Sequence, residues 1–274
     1  MALNRNPFDL SDRVAIVTGG GGILGRGFCG VLAAHGASVA VLDVDAGAAD
    51  ATVAFIHDSS PGADLLALPC NVAEPQQVLA AVAQVVDRFG GINILLNNAA
   101  TKTGNLKDFF EPFETYSLQT WRQVMSVNID GMFLMAQAVG RQMLRQGQGG
   151  SIVQTASIYG VVAPDQRIYE GSFYLGEEIN TPAVYAASKA AVIGLSSYLA
   201  AYWGNKGIRV NTLTPGGVES GQNDTFSKRY SQRVPLGRMA SATELESALL
   251  FLASDASSYV TGQNLIVDGG LTCW

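Results

Sequence analysis

The sequence predicts an α/β protein built on one doubly wound parallel sheet of seven strands with helices on both faces. Short apolar runs, each bounded by Gly, Pro, Asn or Asp, alternate along the chain with longer stretches of helical period. The runs are apolar at nearly every position, as strands buried on both faces require. No Pro/Ser-rich linker, charge block or fixed-period repeat divides the 274 residues, so 1–274 reads as a single domain.

Taken in order, Arg13 to Thr18 is the first strand, stopped by Gly19-Gly20-Gly21-Gly22. Ile23 to His35 then suits a helix closed by Gly36, and Ser38 to Asp43 is a second buried strand, completing a βαβ unit of about thirty residues. Asp45 to His57 is helical, Leu65 to Pro69 a strand, and Pro75 to Phe89 a helix with its proline tolerated in the first turn. Ile92 to Leu96 is the fourth strand, and one long helical stretch covers Leu118 to Gln146. Ser151 to Thr155, Ile208 to Leu213 and Asn264 to Val267 supply the last three strands, separated by helices at Ala183–Asn205 and Ala242–Ser254. Gly221 to Arg233 shows no strong helical period and is expected to be a mobile flap.

Hydrophobic residues make up 48% of the chain and charged residues 15%, enough apolar material for a large core and for subunit interfaces. The formal net charge of −6, without a basic stripe, argues against a nucleic-acid partner. Cys29, Cys70 and Cys273 are scattered and only His35 and His57 accompany them, so neither a metal site nor a disulfide framework is expected. The thiols fit a reducing compartment. Met1 to Arg13 lacks the apolar core of a signal peptide and no run approaches membrane-spanning length, so the expectation is a cytoplasmic protein without membrane contact.

Two constellations carry chemistry. In the first, Gly20-x-Gly22-x-x-Gly25 lies between a strand and a helix, where glycines let the backbone approach a pyrophosphate held at the helix N-terminus. A bare glycine cluster could equally be a flexible turn. Asp43, 18 residues beyond Gly25 at the end of the second strand, adds the acid expected to receive adenosine ribose hydroxyls. A carboxylate there repels a 2′-phosphate and no Lys or Arg flanks it, so NAD is expected over NADP. Its plain alternative is a solvated strand-end acid.

The second constellation is Tyr185-Ala186-Ala187-Ser188-Lys189, with Ser157 upstream. On a helix Tyr185 and Lys189 share one face, four residues apart. A phenol titrates at about 10 in isolation. A neighbouring ammonium favours the phenolate and should bring that value toward neutrality, while a serine hydroxyl beside the phenol could hold a substrate oxygen.

Together these residues resemble the short-chain dehydrogenase/reductase superfamily over nearly the whole chain. The marks are Thr18-Gly19 with the glycine turn, Asn71-Val72, Asn97-Asn98-Ala99-Ala100, Asn128, Ser157, Tyr185-x-x-x-Lys189 and Pro215-Gly216. The resemblance implies a Rossmann-like fold and an NAD-dependent oxidoreductase acting on an alcohol or carbonyl. It implies catalytic roles for Asn128, Ser157, Tyr185 and Lys189: Tyr185 as acid/base, Lys189 lowering its pKa and holding the nicotinamide ribose, Ser157 orienting the reacting oxygen. Asn128 would shape its helix and support a water leading protons to Lys189. Cofactor contacts are implied for Gly19, Gly22, Ile23, Leu24, Gly25, Asp43, Asn71, Val72, Asn97, Ala99, Pro215, Gly216 and Val218, with Asn97 and Ala99 on the adenosine side. Two positions depart from the family pattern: Ile23 stands where a glycine is usual, and Asn71 where many relatives carry aspartate beside the adenine.

Ser157 and Tyr185 lie 28 residues apart, more than in most relatives, and the excess, about 161–182, is an insertion that must emerge at the mouth of the site. Its polar and aromatic residues suggest a polar, sugar-like substrate, and Ser157, Tyr159, Arg167, Tyr169 and Gln222 are the substrate-contact candidates. The loop also resembles that of relatives in surface-glycan sugar biosynthesis. Lys102 and Lys107, like Arg167, could meet a phosphate or carboxylate. The apolar breadth of the Ala183–Asn205 helix suggests a subunit interface, in a homotetramer or, failing that, a dimer. Two other readings stay open: reduction of a 3-ketoacyl thioester or secondary metabolite, and a non-catalytic NAD(H)-sensing or scaffold protein.

Overall fold

The structure, a computed structural model, describes residues 6–274, so the expectation drawn from Met1 to Arg13 falls partly outside the described residues. Strands β1 (Val14–Thr18), β2 (Ser38–Asp43), β3 (Leu65–Pro69), β4 (Ile94–Asn97) and β5 (Gly150–Thr155) join β8 (Ile208–Pro215) and β9 (Asn264–Val267) in one sheet. Its order is β3-β2-β1-β4-β5-β8-β9, and all of its pairings are parallel. Alternate strand residues feed two cores. Ile16 of β1 faces the side covered by α3 (Pro75–Phe89), α6 (Met132–Gln146) and α7 (Ala183–Trp203), where Val85, Met135 and Trp203 pack. Ala15 and Val17 face the other side, under α1 (Ile23–Ala34), α2 (Ala46–Ser59) and α9 (Glu246–Ala253), with Phe28, Ile56 and Leu249.

The chain leaves β1 outward through β2 and β3, then returns to its other side at β4. That reversal opens a crevice beyond the strand C-termini, the usual ligand position in such sheets. Thr18, the last residue of β1, fastens it: its hydroxyl oxygen accepts from the backbone N–H of Asn98 at 2.9 Å and of Ala99 at 3.1 Å.

The long helical stretch from Leu118 is continuous but not uniform. It runs as α5 (Leu118–Met125), a π-helical turn at Ser126–Gly131, then α6. Wider turns of this kind are common at functional sites, and Asn128 sits inside this one. Helix α7, with the 3-10 turn that extends it to Lys206, is long and apolar enough to cross a membrane by length and composition. This corrects the expectation that no run is. In the fold α7 lies on the sheet, burying Val192, Leu199 and Trp203. Trp203 takes the space that only a residue without a side chain leaves open: a Cβ on Gly140 of α6 would lie 2.4 Å from the indole ring.

Two segments expected to be irregular are structured. The insertion holds a 3-10 turn (Gln166–Tyr169) and a hairpin of β6 (Phe173–Tyr174) and β7 (Glu177–Glu178). The expected flap contains α8 (Asp224–Ser231), capped by the Asn223 side chain, which accepts from the Phe226 N–H, and anchored by buried Phe226 and Tyr230. A further short helix, α4 (Leu106–Phe109), follows β4 and buries Phe109.

Candidate active site

Helix α7 brings Tyr185 and Lys189 onto one face beside the end of β5, where Ser157 begins a 3-10 turn. Ser157 and Tyr185 line the same cavity, and the Ser157 hydroxyl lies close enough to favour the phenolate. Lys189 is 2% exposed; its Nζ donates to the Thr155 carbonyl at 2.9 Å and stands 6.0 Å from the centre of the Tyr185 ring. Asn128 links the π-turn to both neighbours. Its Oδ1 accepts from the Thr101 N–H at 2.9 Å and its Nδ2 donates to Ser188 Oγ at 3.1 Å, while that hydroxyl donates to the Tyr185 carbonyl at 2.9 Å. The four residues expected to act together are thus brought together.

Their electrostatics correct one expectation. Burial pushes the Tyr185 phenol up from its ordinary value, and the hydrogen bond from Ser157 opposes but does not cancel that rise. Lys189 does not pull it down; its ammonium is turned to Thr155, and burial lowers its own value to about 8. The phenol is therefore a proton donor at neutral pH. The Asn128 amide is committed to Thr101 and Ser188, and through Ser188 it fixes the position of α7.

Around the glycine loop, the tight approaches fall on particular positions. Gly19 adopts φ 64° and a Cβ there would lie 2.9 Å from Ala99 Cα; a Cβ on Gly25 would lie 2.0 Å from the Gly19 carbonyl oxygen. Ile23 is 60% exposed, which explains why the loop accepts it where a glycine is usual. Gly22 is the N-cap of α1 and has no side-chain cap, so the first-turn N–H groups, including those of Ile23 and Leu24, are free of one. Asp43 stands beside them, its Oδ2 accepting from the Gly21 N–H at 2.9 Å. A close-approach backbone, an uncapped helix start and a carboxylate at the end of β2 together fit a dinucleotide.

Other expected cofactor residues divide. Ala99 borders Gly19, Val72 packs on Gly131, Pro215 ends β8, and Gly216 and Val218 follow it, with Gly216 against Asp268. The Asn97 side chain is not in the cleft: at 1% exposure it donates to the Met132 carbonyl at 3.0 Å and to Gln154 Oε1 at 2.8 Å, bracing β4. Asn71 Oδ1 accepts from the Ala73 N–H at 3.1 Å, closing a local turn beyond β3.

Ser157 and Tyr185 open into a cavity of about 270 Å³. Tyr159, Tyr169 and Gln222 line it as expected. Arg167 does not: its side chain is 83% exposed and holds Asp165 through two bonds of 2.8 and 2.7 Å. Much of the wall is aromatic, including Phe109, Phe110, Phe173, Tyr174, Phe226 and Tyr230; the sequence pointed to aromatic residues in the insertion but not to Phe109, Phe110, Phe226 and Tyr230. Tyr169 Oη donates to Tyr159 Oη at 3.1 Å and meets Thr181 Oγ1 at 2.5 Å. Burial raises the pKa of both phenols and lifts that of Tyr230 to about 12, so all three are neutral hydrogen-bonding groups. The spacing of Phe226 and Tyr230 behind an asparagine cap is the signal that could have found α8.

The whole chain has close relatives. A family model described as short chain dehydrogenase matches residues 13–231. The chain is 37% identical over 273 residues to D-threitol dehydrogenase of Mycolicibacterium smegmatis, covering 97% of this chain and 95% of that one. It is 38% identical over 271 residues to a 2,5-dichloro-2,5-cyclohexadiene-1,4-diol dehydrogenase of Sphingobium indicum, covering 96% and 98%. Among solved structures, a gluconate 5-dehydrogenase from Burkholderia cenocepacia in complex with NADP and tartrate superposes with a TM-score of 0.84 at 34% identity, covering 98% of each chain. A short chain dehydrogenase from Leptospira borgpetersenii with bound NAD+ gives 0.85 at 31% identity, covering 99% and 97%.

Proposed function

The chain belongs to the short-chain dehydrogenase family, oxidoreductases of CH–OH groups that use nicotinamide cofactors, and on that premise we propose that it moves a hydride between NAD(H) and a compact alcohol bearing more than one polar group. The observation that carries the reading is the meeting of Tyr185 and Ser157 in the wall of one cavity, with the Lys189 ammonium 6.0 Å from the Tyr185 ring centre. In the oxidative direction Tyr185 must first give up its own proton; the carbinol C–H bond then breaks, its electron pair leaving with the hydride, and the hydroxyl proton passes to the phenolate oxygen of Tyr185. In the reductive direction Tyr185 gives that proton back. Ser157 holds the reacting oxygen, and Lys189, anchored on the Thr155 carbonyl, keeps further N–H groups for a ribose. The nicotinamide, when bound, supplies or accepts the hydride.

Relatives that act on threitol and on a cyclic diol favour a substrate with neighbouring or opposed hydroxyls, and the linked Tyr159 and Tyr169 phenols offer a second hydroxyl its partners. Asp43 beside the uncapped start of α1 supports NAD over NADP. Tyr198 and Tyr202, stacked 5.8 Å apart on the outer face of α7 and more than half exposed, support assembly through that helix as a homotetramer, or else a dimer. Cytoplasmic residence, without membrane or nucleic-acid contact, completes the proposal.

Tyr185→Phe removes the proton and keeps the ring. Turnover of a polyol panel that includes D-threitol should fall by about a thousandfold, in the range general acid–base catalysis contributes, while NADH titration stays unchanged. Turnover within tenfold of wild type would overturn the assignment.

A further inference from the structure

Among the residues that line the cavity, Lys102 is the one with a charged side chain, and no Asp or Glu lines it. Lys102 forms no ion pair or hydrogen bond from its ammonium among the described residues; its recorded partner is the face of the Tyr174 ring, with Nζ 4.7 Å from the ring centre. A ring face attracts a cation without consuming its N–H donors. Lys102 is exposed at the mouth of the cavity, its ammonium standing over the Tyr174 ring. A cation at the wall of an otherwise uncharged cavity, with its N–H donors uncommitted, is placed to receive an anion.

The backbone holds Lys102 in place from both sides. On one side, Thr101 N–H donates to Asn128 Oδ1 at 2.9 Å, tying the loop to the same side chain that positions α7. On the other, Thr103 adopts φ 66°, a left-handed conformation unfavourable for a β-branched residue. Its N–H bonds Thr101 Oγ1 at 3.0 Å and its hydroxyl bonds the Asn105 carbonyl at 3.0 Å. Strain of this kind persists where surrounding contacts over-determine the chain, and it gathers at ligand sites. The tip of the insertion completes the arrangement, since Tyr174 belongs to β6.

We propose that Lys102 is a specificity-determining residue that binds an anionic group on the substrate, a carboxylate or a phosphate, separated from the reacting carbinol by an apolar body that packs on Phe109, Phe110 and Phe226. The proposal rests on the oxidoreductase reading of the site and narrows its substrate from compact alcohols to hydroxy acids or hydroxy phosphates.

The test uses three probes with one ring and one carbinol: 4-hydroxycyclohexanecarboxylate, its carboxamide, and the monophosphate of 1,4-cyclohexanediol. Each is titrated calorimetrically into the full chain saturated with NAD+. The carboxylate, the phosphate or both should bind at least tenfold more tightly than the amide, and which of them does so identifies the anion. In Lys102→Met that preference should vanish with amide affinity unchanged, while Lys102→Arg should retain it. Equal binding of acid and amide, no binding of either anion, or equal loss for all probes in Lys102→Met would overturn the proposal. Failure of the parent reading registers separately, as loss of NAD+ binding or as turnover that survives Tyr185→Phe.

Discussion

Lys189→Met should make the protein more stable at neutral pH while abolishing turnover. Lys189 is 2% exposed, and burial lowers its pKa from 10.5 to about 8. At about 1.4 kcal/mol per pH unit, that gap corresponds to about 3 kcal/mol of destabilisation. Methionine has a similar length and no charge, but the bond to the Thr155 carbonyl is lost with the ammonium. That bond contributes about 1 kcal/mol, leaving a net gain of about 2 kcal/mol. For a chain of this size Tm then rises by roughly 4–8 °C. The folded-state pKa lies below the unfolded one, so between about 8 and 10.5 the unfolded chain holds a proton that the folded chain does not. Wild-type stability therefore rises with pH across that window, and the penalty is fully present below it. Urea denaturation of both proteins at one protein concentration should show the variant ahead at pH 7 and the gap closing by pH 10.5. No gain at pH 7, or a gap that does not narrow with pH, would refute the reasoning.

Two other substitutions test the ends of the site. Asp43→Asn keeps the side-chain oxygen facing the Gly21 N–H and removes the charge, so the ratio of NADPH to NADH dissociation constants, measured by fluorescence titration, should fall at least tenfold; an unchanged ratio would assign the preference elsewhere. Asn128→Ala removes the acceptor of the half-buried Thr101 N–H and the amide donor to the buried Ser188 hydroxyl, and urea denaturation should show a loss of about 1–3 kcal/mol, with a difference below 0.5 kcal/mol counting against the linkage.

Legibility followed the physics of each segment. Strands buried on both faces announce themselves, and β9 falls at Asn264–Val267 as the sequence predicts. The long stretch to Gln146 was legible as a helix, but its π-turn was not, since a widened turn leaves no periodic mark over six residues. The hairpin of the insertion escaped because its two-residue turn is Leu175-Gly176, both at positive φ, and leucine there gives no turn signal. Helix α8 was hidden by length: eight residues carry too few repeats to show a period. At the site, the family motifs placed Asn128, Ser157, Tyr185 and Lys189. The aromatic wall was invisible because Phe109, Tyr174 and Phe226 come from three separated segments whose meeting depends on tertiary contacts.

Those contacts explain how one cleft can combine fixed chemistry with variable recognition. The reacting groups are held by the framework itself, Lys189 to β5 and Tyr185 through Ser188 to Asn128. The cavity wall is held differently, by side chains that clasp backbone carbonyls across loops. Asn180 donates to the Phe110 carbonyl, Asn223 to that of Phe173, and Arg229 to that of Glu170, while Arg233 pairs with Asp165 at 3.2 Å. Tyr169 and Phe226 stack with centres 5.2 Å apart, joining the insertion to α8 in a small core of their own. The insertion and α8 therefore form one packed roof, in which the segment expected to be an irregular flap is a helix. Changes in that roof can reshape what enters the cavity while leaving the Ser157–Tyr185 contact and the Lys189 anchor in place, because none of the roof's bonds passes through them.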